Sequence, residues 1–247
     1  MKLIRQSKRA FTAIELLVVI AVSVVIVATL LPALANTKVQ SQVFRCQNNL
    51  KQLTRAWAQY TTDNNDNLLN PTTWVGNSTM NWTSGSNNID TAPLLTNSIG
   101  VYVKAPSLFK CPADKYQSIA NPGPRARSVS MNGNVGSGTV LHLTGLSKTG
   151  PAKVIVILDE QADSIGDGNF SFAETSTPPS EQWKDLPACY HNAAGSFSFA
   201  DGHTEIHKWQ NPKLNPTIYP VTFSSFALWL SISGKSVDYE YMLDRMP

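Results

Sequence analysis

A single apolar stretch near the N-terminus limits what this chain can fold into more than any other feature. The 20 residues from Leu16 to Ala35 carry no charged side chain. In a helix that rises about 1.5 Å per residue, such a stretch spans roughly the 30 Å hydrocarbon core of a bilayer. Lysines and arginines at positions 2, 5, 8 and 9 precede it. The stretch predicts a transmembrane helix whose basic N-terminal side faces the cytoplasm, with the rest of the chain outside.

One acid, Glu15, lies at the start of this stretch. The 13 Leu, Ile and Val residues between Leu16 and Ala35 favour insertion by roughly 4 to 8 kcal/mol in total. An acid costs about 2.5 to 3.5 kcal/mol at the centre of a membrane helix and less towards its end. Insertion is therefore expected. Glu15 is then either a membrane-edge residue without a partner or a group that another polar group neutralises.

Two processing schemes compete for this segment. Ala33 to Ala35 fit the A-x-A rule of a secretory signal peptide, so that cleavage after Ala35 would release a soluble protein. The apolar stretch is, however, longer than the roughly 7 to 15 residues of a signal peptide. The other scheme cleaves the chain before the apolar stretch and keeps that stretch as an anchor.

The pattern changes beyond the apolar stretch. Apolar residues recur at spacings of three and four from Val39 to Tyr60, which places them in one stripe on a helix. A polar run follows Tyr60. One helix is therefore predicted from Phe11 to Tyr60, with a transmembrane half at 11–35 and an amphipathic half at 36–60.

The residues from 61 to 247 are predicted to form a globular domain with short strands. The run KVIVIL at 153–158 is short and β-branched, as is typical of a buried strand. Between Ser196 and Trp209, alternating residues flank the turn dipeptide Asp201-Gly202, which predicts a β-hairpin. The expected fold class is α+β, with the long helix packed on a small antiparallel sheet that has extended loops.

Charge and motifs exclude several function classes. Beyond residue 10 the chain holds 16 Lys and Arg against 17 Asp and Glu, so there is no electrostatic case for binding nucleic acid. The chain has no G-x-S-x-G nucleophile motif, and the glycine-rich segment 133–139 lacks the lysine of a phosphate-binding loop. We therefore expect neither a nucleic-acid partner nor catalytic activity.

An acidic loop follows the predicted strand at 153–158. Its carboxylates, from Asp159, Glu160, Asp163 and Asp167, are oxygen ligands of the kind that Ca²⁺ prefers. The loop lacks the glycine that the EF-hand pattern requires at its sixth position. The two interpretations are a calcium site and a solvated turn in which the Asp and Gly residues serve backbone geometry.

The hairpin region offers a second set of candidate ligands, namely His191, Asp201, His203 and His207. In a strand, His203 and His207 would share a face but lie about 13 Å apart, so one ion could not bind both without a bulge. The simpler interpretation is that His191 hydrogen-bonds the hairpin and that Asp201-Gly202 makes the turn.

The segment RAFTAIELLVVIA at 9–21 resembles the leader of type IV prepilins and type II secretion pseudopilins. In that family a basic leader is removed before a Phe that is then N-methylated, and a Glu follows at the fifth mature position. Phe11 and Glu15 match these positions, whereas Ala10 stands where the family usually has Gly. The resemblance implies a leader at 1–10, cleavage before Phe11 by a prepilin peptidase, and pairing of Glu15 with the N-terminal amine of a neighbouring subunit.

Segments further along the chain extend this resemblance. His191, nine further residues and then Asp201-Gly202 resemble the H-X9-DG element of a pseudopilin-like group common in planctomycetes and verrucomicrobia. The segments around Cys46 and Cys111, CQNNLKQL and LFKCPAD, are similar to the same group. The resemblance implies a pilin-like fold, with homo-oligomeric or mixed pseudopilin filaments anchored in inner-membrane lipid and a periplasmic domain that contacts secreted cargo.

Three cysteines lie outside the cytoplasm in this topology, where disulfides persist. They are Cys46, Cys111 and Cys189, and an odd count leaves one free or paired between chains. Because Cys46 and Cys111 lie in the two segments that resemble the family, the resemblance favours a disulfide between them, with Cys189 a buried thiol.

The leading hypothesis is a structural subunit of a secretion-related filament, processed before Phe11. The alternative is a secreted or membrane-tethered soluble binding protein, or a hydrolase, cleaved after Ala35. Six tryptophans could include stacking platforms for carbohydrate in that second case; they are Trp57, Trp74, Trp82, Trp183, Trp209 and Trp229.

Overall fold

Two units make up the chain, Met1–Ser41 and Gln42–Pro247, in a computed structural model of the protein. The residues that the structure describes are 12–76, 79–83, 85–117, 120–138, 140–172, 182–210, 221–224, 230–231 and 236–246. The predicted cleavage site, Ala10 and Phe11, lies outside the described residues.

A single helix, α1, runs from Ala13 to Asp63, close to the predicted bounds. Its segment Ala13–Leu31 is long and apolar enough to cross a membrane, and none of that segment is buried. The large apolar side chains between Ile14 and Leu31 are 52–72% exposed. Apolar side chains exposed on all sides of a helix are typical of a segment whose surroundings are lipid or other helices.

The later part of α1 belongs to the second unit and is amphipathic. Cys46, Leu50, Leu53 and Trp57 are each no more than 1% exposed, at the predicted spacings of three and four. Val39, the first residue of the predicted stripe, is 39% exposed. The stripe therefore contributes to a core from Cys46 onwards.

A five-stranded sheet forms the centre of the second unit, and its strand order is β3-β1-β2-β5-β6. A separate two-stranded antiparallel sheet pairs β4 with β7. The strands are β1 Val129–Asn132, β2 Ile155–Asp159, β3 Asn169–Phe170, β4 Gln182–Trp183, β5 Ala194–Phe199, β6 Thr204–Lys208 and β7 Leu230–Ser231.

The predicted α+β class is confirmed, but the prediction of a purely antiparallel sheet is wrong at one edge. β1 and β3 pair in parallel, with Met131 opposite Asn169. β2 runs antiparallel to β1 and ends beside its start, where Asp159 pairs with Val129. The chain then passes through 160–168 to the other side of β1, and it enters β3 in the direction of β1. The sheet is therefore mixed.

The predicted β-hairpin is confirmed. β5 and β6 pair antiparallel from Ala194 opposite Lys208 to Ser198 opposite Thr204. Gly202 has a φ of +91° in the connecting turn, a backbone conformation that favours glycine. β5 is buried along its whole length, whereas β6 is partly exposed and forms the edge.

The two faces of the sheet pack into different hydrophobic clusters. On one face, Leu50, Leu53 and Trp57 of α1 pack with residues of β1 and β2. The other face packs with an aromatic cluster and with α3, Val237–Leu243. Strand β2 contributes to both clusters. The remaining helices are short and lie in the connections: α2 Pro93–Thr96 and 3₁₀ turns at Ser86–Asn88, Gly100–Tyr102, Pro106–Phe109 and Leu143–Lys148.

Candidate functional site

Four buried side chains from distant parts of the sequence meet inside the second unit. Their donor atoms, on Cys46, Cys111, Asp159 and His191, all lie within 4.8 Å of one another. Their exposed fractions are 1, 1, 0 and 4%. Within the described ranges of the chain, no other group of three or more His, Cys, Asp or Glu side chains comes this close. We call these four residues the Cys–Asp–His cluster.

Each member of the cluster is held by a different element. Cys46 is on the buried stripe of α1. Cys111 follows the 3₁₀ turn at Pro106–Phe109, and its backbone N–H donates to Ser128 Oγ at 2.7 Å. Asp159 is the last residue of β2, and its carbonyl accepts from the N–H of Ala188 at 2.8 Å.

His191 lies in a sharp turn just before β5. Its N–H donates to the carbonyl of Ala194 at 3.2 Å. The two residues between them, Asn192 and Ala193, have φ values of 55° and 63°. Left-handed backbone at non-glycine residues costs roughly 1 to 3 kcal/mol per residue and persists only where the surroundings enforce it. The strain accompanies a turn that directs the His191 imidazole into the interior.

The side chains of the cluster contact one another in pairs. The Cys46 thiol donates to Asp159 Oδ2 at 2.9 Å, and Cys111 Sγ lies 3.2 Å from His191 Nε2. His191 Nε2 is 3.8 Å from Asp159 Oδ2. Among the described residues, neither Asp159 Oδ1 nor His191 Nδ1 has a hydrogen-bond partner. Both atoms can therefore accept a further partner without breaking a hydrogen bond within the described residues.

Burial and the contacts within the cluster shift the pKa values of its side chains. Burial, more than any neighbour, raises the pKa of the Cys46 thiol well above its ordinary value. Burial disfavours the charged form of His191, but hydrogen bonding to Asp159 and Cys111 prevails and raises its pKa to about 9. Burial would likewise raise the pKa of Cys111, yet hydrogen bonds to Cys46 and His191 lower it. The two neighbours of His191 therefore favour its protonated form.

The arrangement differs from a Cys–His–Asp catalytic triad. In a triad the acid orients the imidazole through one ring nitrogen while the other nitrogen faces the nucleophile. Here Asp159 and Cys111 both face Nε2 of His191. Two thiols, an imidazole and a carboxylate instead form a set of donors that suits zinc.

The structure brings Cys46 and Cys111 together, as the family resemblance implies, but as free thiols. The two predicted neighbours therefore do lie together, and the disulfide between them stays a prediction. Cys189 is also a free thiol and is only partly buried. Burial raises its pKa to about 11.

The other residues of the predicted hairpin site do not join His191. Asp201 Oδ1 accepts from the His203 N–H at 3.1 Å and lies 2.6 Å from His203 Nδ1, within the turn. The His207 ring stacks on Tyr241, with ring centroids 3.6 Å apart. The interpretation of Asp201-Gly202 as the turn is confirmed, and the side chain of His191 belongs to the Cys–Asp–His cluster.

The acids of the loop after β2 contact different partners and do not converge on one site. Asp159 enters the cluster, and Glu160 accepts from Ser164 Oγ at 2.9 Å. Asp163 accepts from the Trp82 indole N–H at 2.8 Å, and also from residues 222 and 223. These three acids are at most 3% exposed, and Asp167 is exposed. The solvated-turn interpretation is therefore wrong for the first three, and calcium binding stays a prediction.

Glu15 has a local partner that was not predicted from the sequence. The N–H and the hydroxyl of Thr12 donate to Glu15 Oε2 at 2.8 and 2.7 Å, and the Glu15 N–H donates back to Thr12 Oγ1 at 3.3 Å. This reciprocal pattern is a capping box, and its sequence signature, Thr-x-x-Glu, is visible in the sequence. The carboxylate therefore helps to begin α1 within a single chain.

The described tryptophans are interior residues, so none of them is an exposed stacking platform. All are at most 7% exposed, and Trp229 lies outside the described residues. The buried ones are Trp57, Trp74, Trp82, Trp183 and Trp209.

Comparison with family models, with curated proteins and with solved structures found no match for the chain.

Proposed function

We propose that this protein is a pseudopilin-like structural subunit of a filament related to type II secretion systems and type IV pili. The observation that carries the proposal is α1 itself. One uninterrupted helix from Ala13 to Asp63 has exposed apolar side chains up to Leu31 and core side chains from Cys46 onwards. A filament subunit is held in a membrane or a helical bundle by one end of its helix and folds around the other end. Such a subunit needs exposed apolar side chains on the first part of the helix and core side chains on the second.

The course of α1 also favours cleavage before Phe11 over cleavage after Ala35. The helix continues through Ala35 without interruption. Removal of the chain up to Ala35 would sever α1 between helical residues and discard its exposed apolar part. Cleavage before Phe11 would leave α1 whole, and it would create a new amino terminus close to Glu15.

Glu15 supports assembly through its charge. The capping box uses Oε2 of the carboxylate and does not remove its negative charge. In the low dielectric of a membrane or of packed helices, an unpaired carboxylate is costly. We propose that the Phe11 amine of a neighbouring subunit neutralises it, which also sets the axial register between subunits.

A pseudopilin-like subunit would have defined partners and a defined location in the cell. A prepilin peptidase would remove residues 1–10, and copies of the chain or other pseudopilins would form the filament. The apolar part of α1 would cross the inner membrane before assembly, with the N-terminus in the cytoplasm and the second unit in the periplasm. The second unit would face secreted cargo from the filament surface.

Two matched substitutions separate the assembly role of Glu15 from its capping role. Glu15→Gln keeps a side chain that completes a capping box, since Gln serves at this position as Glu does. It removes only the charge. We expect normal membrane insertion and at least about a tenfold loss of filament, because one unpaired amine per subunit contact costs more than about 1.4 kcal/mol. Filaments sheared from cells are quantified against membrane-bound protein.

The control is Thr12→Ala, which removes the cap hydroxyl and retains the charge. A capping substitution costs about 1 kcal/mol of helix stability, so this variant should still assemble. Filament yield that is unchanged in Glu15→Gln, or reduced equally in both variants, would contradict the proposed role of the charge.

A further inference from the structure

We propose that Cys46, Cys111, Asp159 and His191 bind one zinc ion, which fastens α1 to the sheet of the second unit. This inference does not depend on the filament function. It rests on the geometry, the burial and the unpartnered atoms of the Cys–Asp–His cluster.

The spacing of the donor atoms is close to that of a tetrahedral zinc site. Zinc–nitrogen and zinc–oxygen bonds are about 2.0 to 2.2 Å and zinc–sulfur bonds about 2.3 Å, so ligands at tetrahedral angles lie roughly 3.3 to 3.8 Å apart. The observed separations are 2.9 Å from Cys46 Sγ to Asp159 Oδ2, 3.2 Å from Cys111 Sγ to His191 Nε2 and 3.8 Å from His191 Nε2 to Asp159 Oδ2. The remaining separations are no longer than 4.8 Å, so side-chain movements of up to about 1 Å would bring all four donors to tetrahedral spacing.

The hydrogen bonding of Asp159 favours a metal ion over a disulfide. Oδ2 of this fully buried carboxylate accepts from the Cys46 thiol, and Oδ1 has no partner among the described residues. A disulfide between Cys46 and Cys111 would remove the thiol hydrogen and deprive Oδ2 of its donor. A zinc ion would engage the carboxylate, both thiolates and the imidazole together, releasing the thiol protons as it binds.

The set of ligands indicates a structural site. Four protein ligands complete the coordination of zinc and leave no open position for a substrate, which distinguishes structural from catalytic zinc. The ligands come from a helix, a loop, a strand end and a turn, so one ion would join four segments that are far apart in sequence. Cys111 also lines a pocket of about 830 Å³, together with Lys110 and Asp114. The cluster therefore lies next to this pocket at Cys111.

The test uses the full chain, extracted in detergent without reductant or chelator. Intact mass and thiol alkylation report the state of the cysteines, and elemental analysis reports bound zinc. Replacement of zinc by Co²⁺ gives a visible spectrum that reports tetrahedral thiolate ligation in the unmodified protein. This last measurement needs no variant that must fold.

Two variants locate the site. His191→Gln removes one ligand and should weaken Co²⁺ binding by more than about 100-fold, because the loss of even an outer-shell partner costs 10- to 100-fold. Cys189→Ser is the matched control, since Cys189 is a thiol outside the cluster. It should bind zinc and Co²⁺ as the unmodified chain does.

We expect a single zinc ion per chain, three alkylatable thiols after unfolding and a tetrahedral Co²⁺ spectrum. A disulfide between Cys46 and Cys111 in the isolated protein would overturn the proposal. So would three free thiols with no zinc bound and none taken up on dialysis, or equal Co²⁺ binding by the His191→Gln variant and the unmodified chain.

Discussion

Asp185 is 8% exposed, and its carboxyl group accepts a hydrogen bond from the Ser171 N–H. Burial raises its pKa from 3.8 to about 7, although that hydrogen bond and Lys184 oppose the rise. Asp167 contributes further repulsion. The nearby Glu160 is also buried, and burial together with Asp185 raises its pKa. The fold therefore keeps Asp185 protonated at a pH where an unfolded chain would ionise it.

This shift predicts the direction of a pH dependence. Between about pH 4 and pH 7 the folded chain binds more protons at Asp185 than the unfolded chain, so its stability falls as the pH rises through this window. In Asp185→Asn the neutral amide can still accept from Ser171. The variant should therefore be more stable than the unmodified chain at pH 8, by at most about 4 kcal/mol, with little difference at pH 4.

Thermal unfolding of the full chain in detergent at pH 4, 6 and 8, followed by tryptophan fluorescence, checks this prediction. Asp90→Asn is the control, because Asp90 is an exposed acid that is not among the charges that raise the pKa of Asp185. A difference between Asp185→Asn and the unmodified chain that stays constant from pH 4 to pH 8 would show that Asp185 does not titrate as described.

At the scale of elements, α1 differs in its surroundings along its length, and substitutions should reveal the difference. Leu53→Ala deletes a fully buried side chain and should lower the free energy of unfolding by about 2 to 5 kcal/mol. Val39→Ala changes a side chain that is 39% exposed, and its effect should stay within about 0.5 kcal/mol. Chemical denaturation of both variants in detergent gives the two values, and similar costs at both positions would refute the assigned division of α1.

The elements that sequence could predict are those with strong periodicity. The helix was visible from its apolar stretch and the three-four spacing that follows, and the hairpin from alternation around Asp201-Gly202. The alternation of β2 is less regular, because a register shift between Ile155 and Ile157 places Val156 and Ile157 in the same hydrophobic cluster. A β-bulge of this kind leaves no local signature. The parallel pairing of β1 with the two-residue β3 has no signature either, since it depends on the path of a loop.

At the scale of the whole molecule, the Cys–Asp–His cluster could not be read from spacing. Zinc motifs that are visible in a sequence bring two ligands from one short segment. Here each ligand comes from a different segment, and the separations along the chain are 65 residues between Cys46 and Cys111, 48 between Cys111 and Asp159 and 32 between Asp159 and His191. The sequence singled out all four residues, but it assigned them to a disulfide, an acidic loop and a hairpin. Only the tertiary fold joins them.

Also at the scale of the whole molecule, we propose that the mature protein keeps the whole of α1 and assembles through it. The claim depends on the position of the new N-terminus, since the same gene product is an anchored subunit if cut before Phe11 and a released protein if cut after Ala35. The mature protein would keep the capping box at Thr12 and Glu15 only in the first case.

Intact mass spectrometry of the protein purified from native membranes and filaments, with sequencing of its N-terminal peptide, tests this claim most directly. The account predicts a chain that begins at Phe11 with a methylated amine and contains all of α1. A mature chain that begins at Asn36, or one that retains residues 1–10 in assembled material, would contradict it.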